Sequence, residues 1–195
     1  MVEVSGFITA GGRSSRMGQD KAWLRLGGST MIERVINALK PVATTISIIA
    51  NKEEYKNLGL PVFRDTYAGI GPLEAIRTAL ANSPTRRVLL VGCDLPFVTP
   101  ELFAFLIGLE GDQQAIVPVG RDGRLEPLCA LYTTDSLTEV TSLIESGERK
   151  VARLFDRIPA RFVGFDELNH LKGSSLFFEN INTPEELSRV IKIIT

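Results

Sequence analysis

Cysteine is scarce. Cys93 and Cys129 are the two in 195 residues, far apart and without CxxC spacing. That argues against a disulfide framework and a thiolate zinc site, and leaves each cysteine as small apolar filler. Histidine is scarcer still: His170 stands alone, so a His-based metal cluster is excluded. No apolar run approaches the roughly 18 residues that a membrane span needs. The first apolar stretch carries Glu3 and runs straight into a Gly/Arg loop, unlike a secretory signal. Neither charge sign dominates, with 22 Lys and Arg against 23 Asp and Glu for a formal net charge of −1. Such a chain has no global field to draw it to nucleic acid or an acidic membrane. An anionic ligand must be held by local positive groups. Long Pro/Gly/Ser linkers and internal repeats are missing too. The expectation is a cytoplasmic protein with one domain over residues 1–195.

What is present fits a globular core. Hydrophobic residues make up 44% and charged residues 23%, the ordinary balance. Short β-rich runs at 2–9, 45–50, 61–63, 87–92, 115–119, 128–132 and 161–164 predict strands. Helical patterns are expected around 31–39, 72–81 and 100–107. Thr30 with Glu33 forms a capping box. Thr99-Pro100 and Thr183-Pro184 each place a cap before a proline at the first helical position. The alternation predicts a Rossmann-like three-layer α/β/α fold, a mostly parallel sheet with helices on both faces. The run at 128–132 follows a short polar loop, as in a hairpin. Ligands then bind outside the carboxyl ends of the strands, which singles out the turns after Thr9, Phe63 and Gly92.

All three turns are chemically unusual. After the first strand comes Ala10-Gly11-Gly12-Arg13-Ser14-Ser15-Arg16-Met17-Gly18-Gln19-Asp20-Lys21. Glycines let backbone N–H groups approach a ligand and form an anion-binding concavity. Arg13, Arg16 and Lys21 add positive charge that a core does not require, so a polyphosphate is the expected target. Neither GxxxxGK[ST] nor GxGxxG is present, which disfavours a P-loop and a nicotinamide dinucleotide site.

The run 87–92 reads as a buried strand ending at Cys93-Asp94-Leu95-Pro96. Asp94 therefore points into the ligand crevice. Mg²⁺ accompanying a triphosphate is held through one or two carboxylates plus phosphate oxygens, and Asp94 is the expected metal ligand. Asp65 also follows a short apolar run and reads equally as an Asx-turn residue. Asn180 and Asn182 precede the last helix as phosphate or water ligands, or as turn residues. Arg149 and Lys150 are a second basic cluster, either a solvated helix end or a grip on a second substrate's phosphate. Trp23, Leu24 and Leu26 read as core or pocket wall.

The loop AGGRSSRMGQDK resembles the signature of nucleotidyltransferases that activate sugars, alcohols and pterins with a nucleoside triphosphate. The whole chain, from 8 to 187, resembles the molybdenum cofactor guanylyltransferases. The supporting motifs are Gly71-Pro72-Leu73, Cys93-Asp94-Leu95-Pro96-Phe97, Arg124-Leu125-Glu126-Pro127-Leu128 through Ala130-Leu131-Tyr132, and Asn180-Ile181-Asn182-Thr183-Pro184. The resemblance implies GMP transfer from GTP to the terminal phosphate of molybdopterin carrying molybdenum, with Mg²⁺ as cofactor. It implies onward delivery to cofactor-receiving molybdoenzymes or their chaperones.

It assigns Asp94 to magnesium, and Asp65 and Asn51 to nucleotide contact. The expected nucleotide site is Thr9, Ala10, Gly11, Gly12, Arg13, Lys21, Asn51, Asp65 and Asp94. Arg16, Lys21 and Asp94 are the catalytic groups, and Arg149, Lys150, Asn180 and Asn182 the candidates for the second substrate. Gly11 marks the guanylyl branch in the resemblance, where a missing Cβ would let a purine lie close to the backbone. A tight turn is the other reason for glycine there. Two further readings stand at this point. One is a cytidylyltransferase or sugar-phosphate enzyme of the same fold. The other is a non-catalytic GTP-binding regulator.

Overall fold

The computed structural model describes residues 2–11, 20–67, 69–109, 111–181 and 186. Along the chain run β1 (Val4–Thr9), the two-residue strands β2 (Arg25–Leu26) and β3 (Ser29–Thr30), and α1 (Met31–Leu39). Then come β4 (Thr45–Ile49), β5 (Val62–Phe63), α2 (Pro72–Ala81), β6 (Arg87–Gly92) and α3 (Pro100–Gly108). The last part holds β7 (Ala115–Pro118), β8 (Cys129–Thr133), α4 (Leu137–Glu145), α5 (Ala152–Phe155), β9 (Ala160–Val163) and α6 (Phe165–Leu168).

Among the described residues the main sheet has seven strands in the order β5-β4-β1-β6-β8-β7-β9. Adjacent pairs are parallel except those made by β8, which runs antiparallel to both β6 and β7. The expected hairpin forms, and its second strand wedges between β6 and β7. The α/β expectation is borne out.

The two faces separate by strand period. Leu89 and Val91 of β6 join the cluster that includes Ile32, Val35 and Leu39 of α1 with Leu102, Phe103 and Leu106 of α3. Val88 and Leu90 join the opposite cluster with Leu73 and Ile76 of α2 and Val140, Leu143 and Ile144 of α4. A strand buried on both faces reads as an unbroken apolar run, which is what Val-Leu-Leu-Val shows.

Two caps are realised. Thr30 Oγ1 accepts from the Glu33 amide at 3.3 Å while the Glu33 carboxylate accepts from the Thr30 amide at 2.7 Å. Thr99 accepts from the Leu102 amide at 3.4 Å. Thr183 and Pro184 lie outside the described residues. Sequence periodicity left α4, α5 and α6 unassigned, and also the β2–β3 ribbon, whose strands are too short to display a period. The ribbon covers a third cluster of Leu24, Leu26, Met31, Phe97 and Ile181.

Cys93 and Cys129 are free and buried, as filler should be. Burial, with Asp94 nearby, pushes the Cys93 thiol up to about 12. No helix among the described residues is long and apolar enough to cross a membrane.

Candidate active site

From β1 the chain builds β4 and β5 on one flank, then crosses to build β6 on the other. The order therefore reverses between β1 and β6, the switch point where open α/β sheets hold ligands. A cavity of about 240 Å³ lies there. Thr9 and Ala10 reach it from the end of β1, Asp65 from beyond β5, Gly71 from the start of α2, and Asp94 from beyond β6, with Lys21 opposite. The strand ladders run into the cavity wall: the Ala10 amide donates to the Ile49 carbonyl and the Cys93 amide to the Thr9 carbonyl, each at 2.9 Å.

Gly11 has φ of +81°. A Cβ there would meet the Tyr55 ring at 3.6 Å, an ordinary contact. The backbone, rather than lack of space, demands glycine. Gly11→Ala would strain the turn for every nucleotide alike, so guanine recognition has to be probed by other means.

Lys21 Nζ donates to Asp94 Oδ2 at 2.7 Å, with side chains 16% and 24% exposed. This pair joins the end of the Gly-rich loop to the end of the central strand. At that exposure solvent screens the attraction only partly. The residue beside Lys21 explains how it is aimed. Asp20 caps the 3₁₀ turn Lys21–Trp23 by accepting from the Ala22 amide at 3.2 Å. Its Oδ2 accepts from Lys52 Nζ and from the Tyr55 hydroxyl, both at 2.8 Å.

Burial would push the Asp20 carboxyl up, but the three donors together outweigh it and hold the group below its ordinary range. Burial and the bond to Asp20 push the Tyr55 phenol upward, so it remains a donor. Trp23 stacks on Tyr55 at 5.4 Å between ring centroids and packs against the core, in line with the core reading. Tyr55→Phe removes one donor from a buried carboxylate and should lower stability by about 1.5–3 kcal/mol. Urea denaturation would measure this; an unchanged midpoint would mean that Asp20 is satisfied without Tyr55.

Asp65 is held by its surroundings. Burial, then the nearby Glu74 carboxylate, raises its carboxyl above the ordinary value, against a Thr78 hydrogen bond and Arg77. Glu74, at the start of α2 and buried, clamps the loop beyond Asp65 by accepting from the Thr66 amide at 2.7 Å and the Tyr67 amide at 3.2 Å. Arg77 pairs with Glu74 at 2.8 Å. Glu74 and Asp20 were both missed in the sequence: the side-chain partners of Asp20 come from a segment more than thirty positions away, and Glu74 is masked by its place in an ordinary helical first turn.

The remaining expected residues divide. Gly12, Arg13, Arg16 and Asn182 lie outside the described residues. Asn51 is exposed, in the bend after β4; Ile49 takes the place at the cavity wall. Arg149 and Lys150 are exposed beyond the end of α4, where their amides donate to the Glu148 carboxylate at 2.7 and 2.8 Å. Neither residue lines the cavity at the switch point.

Asn180 lines a second cavity of about 380 Å³ together with Glu126, Arg121 and Phe165. Backbone hydrogen bonds tie the segments that line the two cavities together beside Asp94. The Ile181 amide donates to the Asp94 carbonyl at 3.2 Å, and the Gly92 amide to the Leu128 carbonyl at 2.7 Å. Leu128 thus faces the first cavity while Glu126, two residues earlier, faces the second.

Asp94 presents a carboxylate to the crevice with one oxygen on Lys21. Among the described residues no three His, Cys, Asp or Glu side chains gather around a common point. This donor set fits a Mg²⁺ that arrives on phosphate oxygens better than a resident metal in a protein cage.

A family model for the MobA-like NTP transferase domain matches residues 6–161. A protein of Carboxydothermus hydrogenoformans named "Probable molybdenum cofactor guanylyltransferase" is 34% identical over 188 residues, covering 96% of this chain and 95% of its own. The "Molybdenum cofactor guanylyltransferase" of Yersinia pestis is also 34% identical over 188 residues, covering 94% and 92%. Among solved structures, "Molybdopterin-guanine dinucleotide biosynthesis protein A" from Archaeoglobus fulgidus superposes with a TM-score of 0.82 at 25% identity, over 97% of this chain and 98% of that one. With a cation–carboxylate pair closing a switch-point cavity and full-length relatives of one kind, the chain belongs to the family of MobA-like NTP transferases.

Proposed function

We propose that this chain transfers GMP from GTP to the terminal phosphate of molybdopterin carrying molybdenum, giving molybdopterin guanine dinucleotide and pyrophosphate. The observation that carries the reading is the Lys21–Asp94 pair at the switch-point cavity, in a chain whose full-length relatives carry that name. This cavity suits the nucleotide and the second the acceptor. We take residues 1–195 as a single nucleotidyltransferase domain acting in the cytoplasm, with delivery of the product to molybdoenzymes or their chaperones.

In the reaction an acceptor phosphate oxygen bonds to the α-phosphorus. The bridge to the β-phosphate breaks, and pyrophosphate leaves with the bonding electrons. No protein nucleophile is needed, so the residues act by placement and charge. Backbone amides from Ala10 to Gly12, with Arg13 and Arg16, cradle the triphosphate. Lys21 moves its ammonium from Asp94 to the phosphates and neutralises charge developing on the α-phosphate and the leaving group. Asp94 would hold Mg²⁺, which would supply further charge neutralisation. Asp65 orients the nucleoside, and Asn180 and Asn182 remain the candidates for contact with the acceptor.

The test is a panel of GTP, CTP and ATP, each with and without molybdopterin, read by pyrophosphate release. Release from GTP only when acceptor is present is expected. A regulator would bind GTP and release nothing. Competition binding should show GTP held about a hundredfold more tightly than CTP, since a site that satisfies guanine's polar edge leaves its own groups unpaired with cytosine. Equal affinities would remove the guanine preference and leave the transferase reading standing.

A further inference from the structure

Glu126 has no part in the mechanism above, yet it holds an unusual position. It lines the second cavity beside Asn180, half-buried. Among the described residues its carboxylate makes no hydrogen bond or ion pair, though most of the chain's other buried or half-buried carboxylates are bonded. The Glu126 oxygens are open to the cavity and free to accept hydrogen bonds from a ligand. The same cavity has a flat surface: the Arg121 guanidinium lies 4.6 Å from the centroid of the Phe165 ring, and both residues line it. An unsatisfied carboxylate beside a stacked aromatic–guanidinium pair is suited to a planar heterocycle bearing adjacent N–H donors.

We propose that Glu126 accepts hydrogen bonds from the aminopyrimidinone edge of the acceptor's pterin while Arg121 and Phe165 border its ring. This rests on the acceptor being a molybdopterin, as proposed above. A pterin offers its ring N–H and its exocyclic amine on one edge, a spacing that the two oxygens of a carboxylate can accept together. Guanine offers the same pair, so the chemistry alone names two sources. Placement separates them. Glu126 lines a cavity with Asn180, separate from the one that Thr9 and Ala10 line. Burial, reinforced by the Asp122 and Asp94 charges, pushes its carboxyl up to about 7; two N–H donors would favour the charged form on binding.

The experiment compares wild type with Glu126→Gln in the full chain. The acceptor KM is read by pyrophosphate release with molybdopterin, and the Kd of Mg²⁺-bound GTP by calorimetry. An acceptor KM raised roughly 10–100-fold, with the GTP Kd unchanged, is expected. Arg121→Ala, at an exposed residue, gives an independent second variant. It should weaken binding of a pterin monophosphate, read by pterin fluorescence, while leaving binding of ribose 5-phosphate as in wild type. An unchanged acceptor KM in Glu126→Gln overturns the inference. Weakened GTP with an unchanged acceptor KM assigns Glu126 to guanine and also overturns it. Absence of any pyrophosphate from wild type with GTP and molybdopterin is a different result: the proposed function fails, and the inference with it.

Discussion

Asp94→Asn lowers GMP transfer by about three orders of magnitude or more and leaves the fold in place. Asparagine keeps the size of the side chain and its place after β6, but loses the charge proposed to hold Mg²⁺. Asp94 side-chain atoms reach the crevice, so no core contact is lost. The backbone bonds that fix this turn, from the Cys93 amide to Thr9 and from the Ile181 amide to the Asp94 carbonyl, do not involve the carboxylate. The midpoint of thermal unfolding should therefore stay close to wild type while pyrophosphate release collapses. Raising Mg²⁺ should recover part of the rate if weakened metal binding is the cause. Near wild-type turnover at ordinary Mg²⁺ would show that the metal is held elsewhere.

Lys21→Ala costs roughly 10²–10³ in turnover, the scale for losing one group that stabilises transition-state charge. Its pairing with Asp94 adds a second expectation of opposite sign. The Lys21 ammonium sits 2.7 Å from Asp94 Oδ2, where it competes with any metal for that oxygen. Removing it leaves the carboxylate with more negative potential, so Mg²⁺ affinity in the absence of GTP should rise while turnover falls. Steady-state kinetics with Mg²⁺ titration reads both. A raised KM at constant kcat would make Lys21 a contributor of uniform binding rather than a transition-state group.

Much of this could be read in the chain itself because its cause is local. The run 87–92 is apolar at every position after Arg87, which only a strand covered on both faces tolerates, and the helices at 31–39 and 72–81 match the structure residue for residue. A Gly-rich cationic loop after a buried strand needs no tertiary knowledge to suggest an anion site. Asp94 was legible because a carboxylate at the end of such a strand has little other reason to be there. The helix α4 was overlooked although Val140, Leu143 and Ile144 carry helical spacing; the first half of the chain had supplied the alternation, and the antiparallel β8 ended it.

Local segments specify the layered α/β fold and single out the turns that carry Lys21 and Asp94, since each follows from residues within one short stretch; the pairing of Lys21 with Asp94, 73 positions apart, comes from packing. Long-range packing sets β8 between β6 and β7, which puts Leu128 at one cavity and Glu126 at the other. It also decided that Asp20, Lys52 and Tyr55 form one network beneath the turn that carries Lys21. It placed Arg149 and Lys150 away from the switch-point cavity. Burial and charge pairing depend on which distant segments pack together, and strand order is set by the packing of the whole core, so neither leaves a local trace in the chain.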